Sequence, residues 1–166
     1  MPVVPLAAIE IRTARDGDGE QLITLIGACF AEYPGCVLDV DGEMPELRAI
    51  ATWFAAQRGR FWVAEHARRV VGSVGIVPAT DGRGAELRKL YVASTVRRSG
   101  LGTRLCELVE AEARRCGARF VELWSDTRFA NAHRLYERLG YLRGRETRAL
   151  HDLSQTVEYY FRKALA

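Results

Sequence analysis

The run Arg97-Arg98-Ser99-Gly100-Leu101-Gly102-Thr103 falls where a strand-like stretch turns into a helical one, and its two glycines let backbone amides approach a ligand closely. The first N–H groups of a helix have no partner within it, and its dipole is positive at that end. A pyrophosphate flanked by two arginines therefore suits the run. The spacing excludes a nucleoside-triphosphate P-loop, which needs Gly-x-x-x-x-Gly-Lys-Ser/Thr, and a dinucleotide fingerprint, which needs a third glycine where Leu105 stands. A tight strand-to-helix connection also needs glycine for its own geometry, so the run alone leaves both readings open. His133 and His151 have no serine or cysteine at a recognisable hydrolase spacing and read as surface or acceptor-pocket residues. Cys29, Cys36, Cys106 and Cys116 form no Cys-x-x-Cys pair and have no histidine at metal spacing. They read as buried thiols, and no metal site is expected.

The elements that must position these residues follow from periodicity. Ile9 to Thr13 alternates as a short strand, and Asp16 or Asp18 is placed to cap a helix whose Leu22, Ile23, Leu25, Ile26 and Phe30 share a face. Tyr33 to Met44, with Pro34, Gly35 and Gly42, reads as a loop, and Pro45 to Gln57 as a second helix burying Leu47, Ile50, Ala51 and Phe54. Phe61–Glu65 and Val70–Val77 make a hairpin, and Ala85–Ala93 is the third strand of that group. A helix from Ser99 to about Cys116 stops at Gly117, Phe120–Trp124 is a strand, and a helix from about Arg128 to Leu139 stops at Gly140. Strands near Tyr141–Thr147 and Thr156–Arg162 close an α+β order, β-α-α-β-β-β-α-β-α-β-β, in which one β-α-β crossover lies beside antiparallel hairpins.

The 166 residues suffice for one domain with a real core, expected over residues 9–166 behind a flexible stretch at 1–8. Apolar residues at 48% and charged residues at 27% exclude disorder and a disulfide-built miniprotein. Val70 to Ala79, the longest uncharged apolar run near the middle, is far short of the ~20 residues of a membrane span, and Met1 to Ile9 lacks a basic secretory start. A cytoplasmic protein with no membrane partner is expected, as monomer or homodimer. The net charge of +3 is too small to imply nucleic-acid binding. Its distribution is uneven: residues 1–57 carry nine acidic and three basic side chains, net −6, and residues 58–166 carry twelve and 21, net +9.

Two segments carry a family resemblance. ELRKLYVASTVRRSGLGTRL, residues 86–105, resembles the acetyl-CoA strand, glycine loop and following helix of the GNAT superfamily of N-acetyltransferases. NAHRLYERLGY, residues 131–141, is similar to that family's second signature, and the element order matches its fold over roughly residues 9–163. The resemblance implies an α/β/α arrangement. Its sheet is mixed, mostly antiparallel and seven-stranded, with about four helices and a splayed strand pair that takes acetyl-CoA. It further implies that the Leu90 N–H stabilises the oxyanion, with Tyr91 beside it and Val92 holding the pantetheine arm. Arg97 to Thr103 would take the pyrophosphate, and Asn131 would hold the pantetheine amide or orient the tyrosine region. Tyr136 would protonate the leaving thiolate, and Glu86 would serve as base. An alkylamine with a pKa near ~10.4 must lose a proton before it attacks the thioester.

The expected activity is direct acetyl transfer to a primary amine in a ternary complex, without metal. Glu32, Asp39, Asp41, Glu43 and Glu46, with Tyr33, make the expected acceptor side acidic and suited to a cationic amine, small molecule before protein. A protein N-terminal or lysine acetyltransferase, and a non-catalytic acyl-CoA sensor or scaffold, are the alternatives. DNA binding is disfavoured because Glu107, Glu110 and Glu112 interleave the arginines of one helix.

Overall fold

The computed structural model describes residues 2–166. Seven strands form one sheet in the order β1-β2-β3-β4-β5-β7-β6, with β1 at Glu10–Thr13, β2 at Arg60–His66, β3 at Arg69–Pro78, β4 at Ala85–Val92, β5 at Phe120–Asp126, β6 at Leu142–Ala149 and β7 at Val157–Ala164. Only β4 and β5 run parallel, and every other neighbouring pair is antiparallel. The helices are α1 (Gly19–Phe30), the single turn α2 (Val40–Glu43), α3 (Ile50–Ala56), α4 (Leu101–Arg115) and α5 (Ala130–Arg138). The expected mixed, mostly antiparallel sheet is thus present, with five helices counting that turn.

Two apolar layers fix the arrangement. On one face Leu101, Leu105 and Val109 of α4 and Tyr136 of α5 pack against Val74, Leu87, Leu123 and Phe161 of the sheet. On the other, Leu22 and Ile26 of α1 and Ile50 and Phe54 of α3 cover Phe61, Val63 and Val77. Each such side chain contributes about 1.5–3 kcal/mol relative to exposure. β2 and β3 send apolar side chains into both layers, so both faces of these two strands are covered. Val4 and Leu6 also pack against the first layer, beside a 3-10 turn at Leu6–Ala8.

Several expectations change. Pro45–Ala49 is a 3-10 turn, and the α-helix begins only at Ile50. Neither aspartate caps α1 through its side chain. Asp18 accepts from the Arg12 guanidinium at 2.8 and 3.0 Å and from the Arg15 N–H, while Asp16 accepts from Thr52 of α3. Of the four thiols only Cys29 and Cys106 are buried, whereas Cys36 is half-buried and Cys116 exposed. His133 is buried rather than on the surface, because α5 turns it onto Tyr159 and Phe161.

Candidate active site

β4 departs from regular pairing in the middle of the first signature. Gly75 faces Arg88 and Ser73 faces Tyr91, so Val74 alone opposes both Lys89 and Leu90, a β-bulge with Lys89 at φ +53°. The buried Ser73 hydroxyl donates to the Lys89 carbonyl at 2.8 Å. A peptide's N–H and C=O point oppositely, so this bond directs the Leu90 N–H away from Ser73. On its other side β4 pairs with β5 only through Ala85–Val121 and Glu86–Glu122. Beyond those residues the two strands part.

The opening beside the parted strands holds a cavity of about 640 Å³. Every residue of the Arg97–Thr103 run except Ser99 lines it, together with Leu90, Tyr91, Val92 and Asn131. Gly100 stands at the N-cap of α4 with φ +88°, a conformation that glycine adopts without strain, and as the N-cap residue it has no side chain to bond the first-turn amides. Ser99 Oγ accepts from the Leu101 N–H at 3.2 Å, which leaves later first-turn amides facing the cavity. A Cβ at Gly102 would come within 3.0 Å of Leu135 Cδ2. A bare helix end, two arginines and a missing side chain fit a pyrophosphate. Arg97 Nη2 also donates to Glu32 Oε2 at 2.7 Å and to the Val92 carbonyl at 3.3 Å.

A second, smaller cavity of about 130 Å³ shares Leu90, Tyr91, Phe129 and Ala132 with the first. Tyr136 lines this cavity and not the larger one. It is nearly inaccessible, edge-on to Tyr141 at 5.9 Å between ring centres, and burial pushes its phenol well above the ordinary range. Four carboxylates, Glu43, Asp126, Asp152 and Glu158, line the cavity with Lys89 and Trp124. Asp126 is held by Arg128 at 2.9 and 2.8 Å. Asp152 accepts from the Thr156 N–H and hydroxyl, both at 2.7 Å. Its burial acts upward, but these bonds leave it below the usual carboxylate range. Glu158 lies above that range because burial outweighs its bond from Arg148 Nε at 2.7 Å.

Glu86 lies outside the residues lining either cavity and is bidentate to Arg88 at 3.1 and 3.2 Å. Asn131, in the first turn of α5, accepts from Arg134 at 3.0 Å. The acidic segment 32–46 distributes otherwise than expected. Glu32 and Tyr33 face the larger cavity, Asp39 accepts from the Gly42 N–H, Asp41 pairs with Arg48 and Glu46 with Lys89. Of its five carboxylates only Glu43 reaches the smaller cavity, because turns and ion pairs absorb the others. Its negative wall comes mainly from Asp126, Asp152 and Glu158, which belong to the basic part of the chain. Strand alternation places Glu158 with Tyr160 and Arg162 on a polar face, so no sequence signal marks it as lining a cavity. His151 lies in the turn after β6 beside Asp152. His133 holds the end of β5, with Nε2 at 3.0 Å from the Asp126 carbonyl and 3.1 Å from Ser125 Oγ. Among the described residues no three His, Cys, Asp or Glu side chains are grouped to hold a metal, and no helix is long and apolar enough to cross a membrane.

The sequence pattern of the acetyltransferase (GNAT) family matches residues 22–141. The chain belongs to this family. Among its relatives, a probable N-acetyltransferase 14 of Xenopus tropicalis is 29% identical over 120 residues, covering 72% of this chain and 57% of that protein. The chain spans about half the length of the curated relatives it matches. A GNAT-family acetyltransferase from Staphylococcus aureus Mu50 has the same fold, with a TM-score of 0.82 at 21% identity over 96% of this chain and all of that one. A putative acetyltransferase from Salmonella typhimurium, solved with its cofactor acetyl-CoA, superposes with a TM-score of 0.70 at 20% identity, covering 96% of this chain and 95% of that one.

Proposed function

We propose that this GNAT chain is an acetyl-CoA-dependent N-acetyltransferase that acetylates a primary amine of a cationic small molecule. One observation carries the reading. A cavity with an anion-binding helix end and a cavity walled by carboxylates meet at Leu90 and Tyr91, where β4 and β5 part. Two substrates entering from opposite sides would meet there, as direct transfer requires.

In this reading the α4 amides, Arg97 and Arg98 hold the pyrophosphate of acetyl-CoA, which supplies the acetyl thioester. The acetyl-CoA of the Salmonella neighbour supports that choice of donor. The Leu90 N–H, directed by the Ser73–Lys89 bond, supplies the hydrogen bond for the negative charge that develops on the carbonyl oxygen. Tyr136 acts at the sulfur. Its raised phenol holds its proton more tightly than a thiol of pKa near ~8.5, so it stabilises the thiolate as a hydrogen-bond donor and passes its proton on only as it receives the one leaving the nitrogen. The carboxylate wall attracts the ammonium form of the acceptor.

The test is a panel of amines incubated with acetyl-CoA while free thiol is measured. Turnover of di- or polycationic amines in preference to neutral and acidic ones is the expected result. CoA binding without thiol release from any amine or protein acceptor would leave a sensor or scaffold instead.

A further inference from the structure

The proposed reaction needs a group that takes a proton from the incoming ammonium, and Glu86, the candidate visible in the sequence, is turned to Arg88 outside both cavities. Four other carboxylates line the smaller cavity. Asp126 is doubly engaged by Arg128, Asp152 by Thr156, and Glu43 accepts from the Leu153 N–H at 2.9 Å. Glu43 and Glu158 each keep one oxygen without a hydrogen-bond partner among the described residues, and of the two Glu158 is the one fixed in the sheet, on β7 opposite Asp126, with its Oε1 accepting from Arg148 Nε. No fully buried polar side-chain atom among the described residues lacks a partner, so Glu158 Oε2 reaches accessible space. Because Glu158 lines the same 130 Å³ as Tyr136 and Leu90, a base there shares a compartment with the sulfur and oxyanion groups.

We infer that Glu158 is the catalytic base, with Oε2 taking the proton from the acceptor ammonium. The inference rests on the N-acetyltransferase reading above and deepens it. The protons balance as follows. RNH₃⁺ gives one proton to Glu158. The amine nitrogen then forms its bond to the acetyl carbon, the carbon–sulfur bond breaks, and the second nitrogen proton passes to Tyr136 as Tyr136 gives its own to the thiolate, so the phenol is restored. Glu158 returns its proton to solvent, so the products are the amide, CoA thiol and one proton.

The surroundings suit the task. Arg148 on β6 faces Glu158 and favours its charged form, while burial and the charges of Asp126 on β5 and Glu86 on β4 oppose it. Lys89 on β4, Glu43 on α2 and Asp152 in the β6–β7 turn complete the charged lining, and Arg128 offsets Asp126. The balance leaves Glu158 raised, a better proton acceptor than an ordinary surface glutamate.

The experiment compares the parent chain with Glu158→Gln, Glu158→Asp and Glu86→Gln on the best amine of the panel, as kcat and KM from pH 5 to pH 10, with CoA binding by calorimetry. Glu158→Gln is expected to lower kcat about 10²-fold, with CoA affinity unchanged and the acid limb of the pH profile abolished. Glu158→Asp should restore part of the rate and the limb. Amines that ionise near ~8 should be hurt less than those near ~10.4, since fewer of them need a base. A merely structural glutamate would not produce that dependence on amine pKa. The inference is overturned if Glu158→Gln keeps kcat within threefold, if neither Glu158 variant moves the acid limb, or if Glu86→Gln takes the loss instead. In all three outcomes the N-acetyltransferase reading survives; if the parent chain acetylates no amine, both fall.

Discussion

Arg97 and Glu32 form an ion pair at 2.7 Å that joins the glycine loop before α4 to the turn after α1, on the lining of the larger cavity. The same guanidinium reaches the Val92 carbonyl, so an arginine suited to the pyrophosphate is engaged by protein acceptors. Binding an anion there must compete with Glu32. Glu32→Gln should therefore tighten CoA binding about threefold, roughly 0.7 kcal/mol, a modest gain because both side chains are about a third exposed. Arg97→Ala should weaken it about tenfold. Calorimetry at two salt concentrations checks both, and no gain on removing the Glu32 charge would mean that the pair does not compete.

Gly102 gives the second expectation. A side chain there presses on Leu135 and projects into the cradle, so Gly102→Val should weaken CoA binding at least tenfold, about 1.4 kcal/mol. Unchanged affinity in a folded variant would remove the pyrophosphate assignment.

Tyr136→Phe keeps the packing against Tyr141 and Phe161 and removes only the hydroxyl. Turnover at saturating substrates should fall by roughly 10²-fold with CoA affinity almost unchanged. Normal turnover would make Tyr136 a packing residue.

The carboxylates of the smaller cavity are separable from the acidic loop. Asp126→Asn should raise KM for a dicationic amine about tenfold, and added salt should weaken the parent's affinity for it. The double variant Asp39→Asn, Asp41→Asn should behave as the parent, since these side chains are held by Gly42 and Arg48 away from the cavity. A loss in the double variant equal to that of Asp126→Asn would restore the loop as the source of attraction.

Asp18 links the fold to pH. Burial acts to raise it, but the Arg12 guanidinium and the Arg15 N–H hold it below the usual carboxylate range. A depressed folded-state pKa stabilises above the unfolded value of ~3.9, and the benefit is lost as pH falls through the folded value. Asp18→Asn should cost about 2–3 kcal/mol at pH 7, with the difference shrinking below about pH 4. Urea unfolding at both pH values measures this; an equal difference at both would mean that the charge is not what stabilises.

The sequence alone determined the element order, the glycine-rich start of α4 and the second signature, because these are local. Hydrophobic period, helix stops at Gly117 and Gly140 and the approach of backbone at Gly100 and Gly102 are set within a few residues. Gross charge, a sum over the chain, was legible but misleading, since Asp41, Glu46 and Glu32 are spent on Arg48, Lys89 and Arg97. Only the tertiary structure decided which carboxylates face the second cavity. Asp126 and Glu158 lie 32 residues apart in the chain and meet because β5 and β7 pair in that register, while Glu158 sits on a strand face that alternation assigns to solvent. Burial of that face depends on the segments packed across it, and strand alternation carries no record of them.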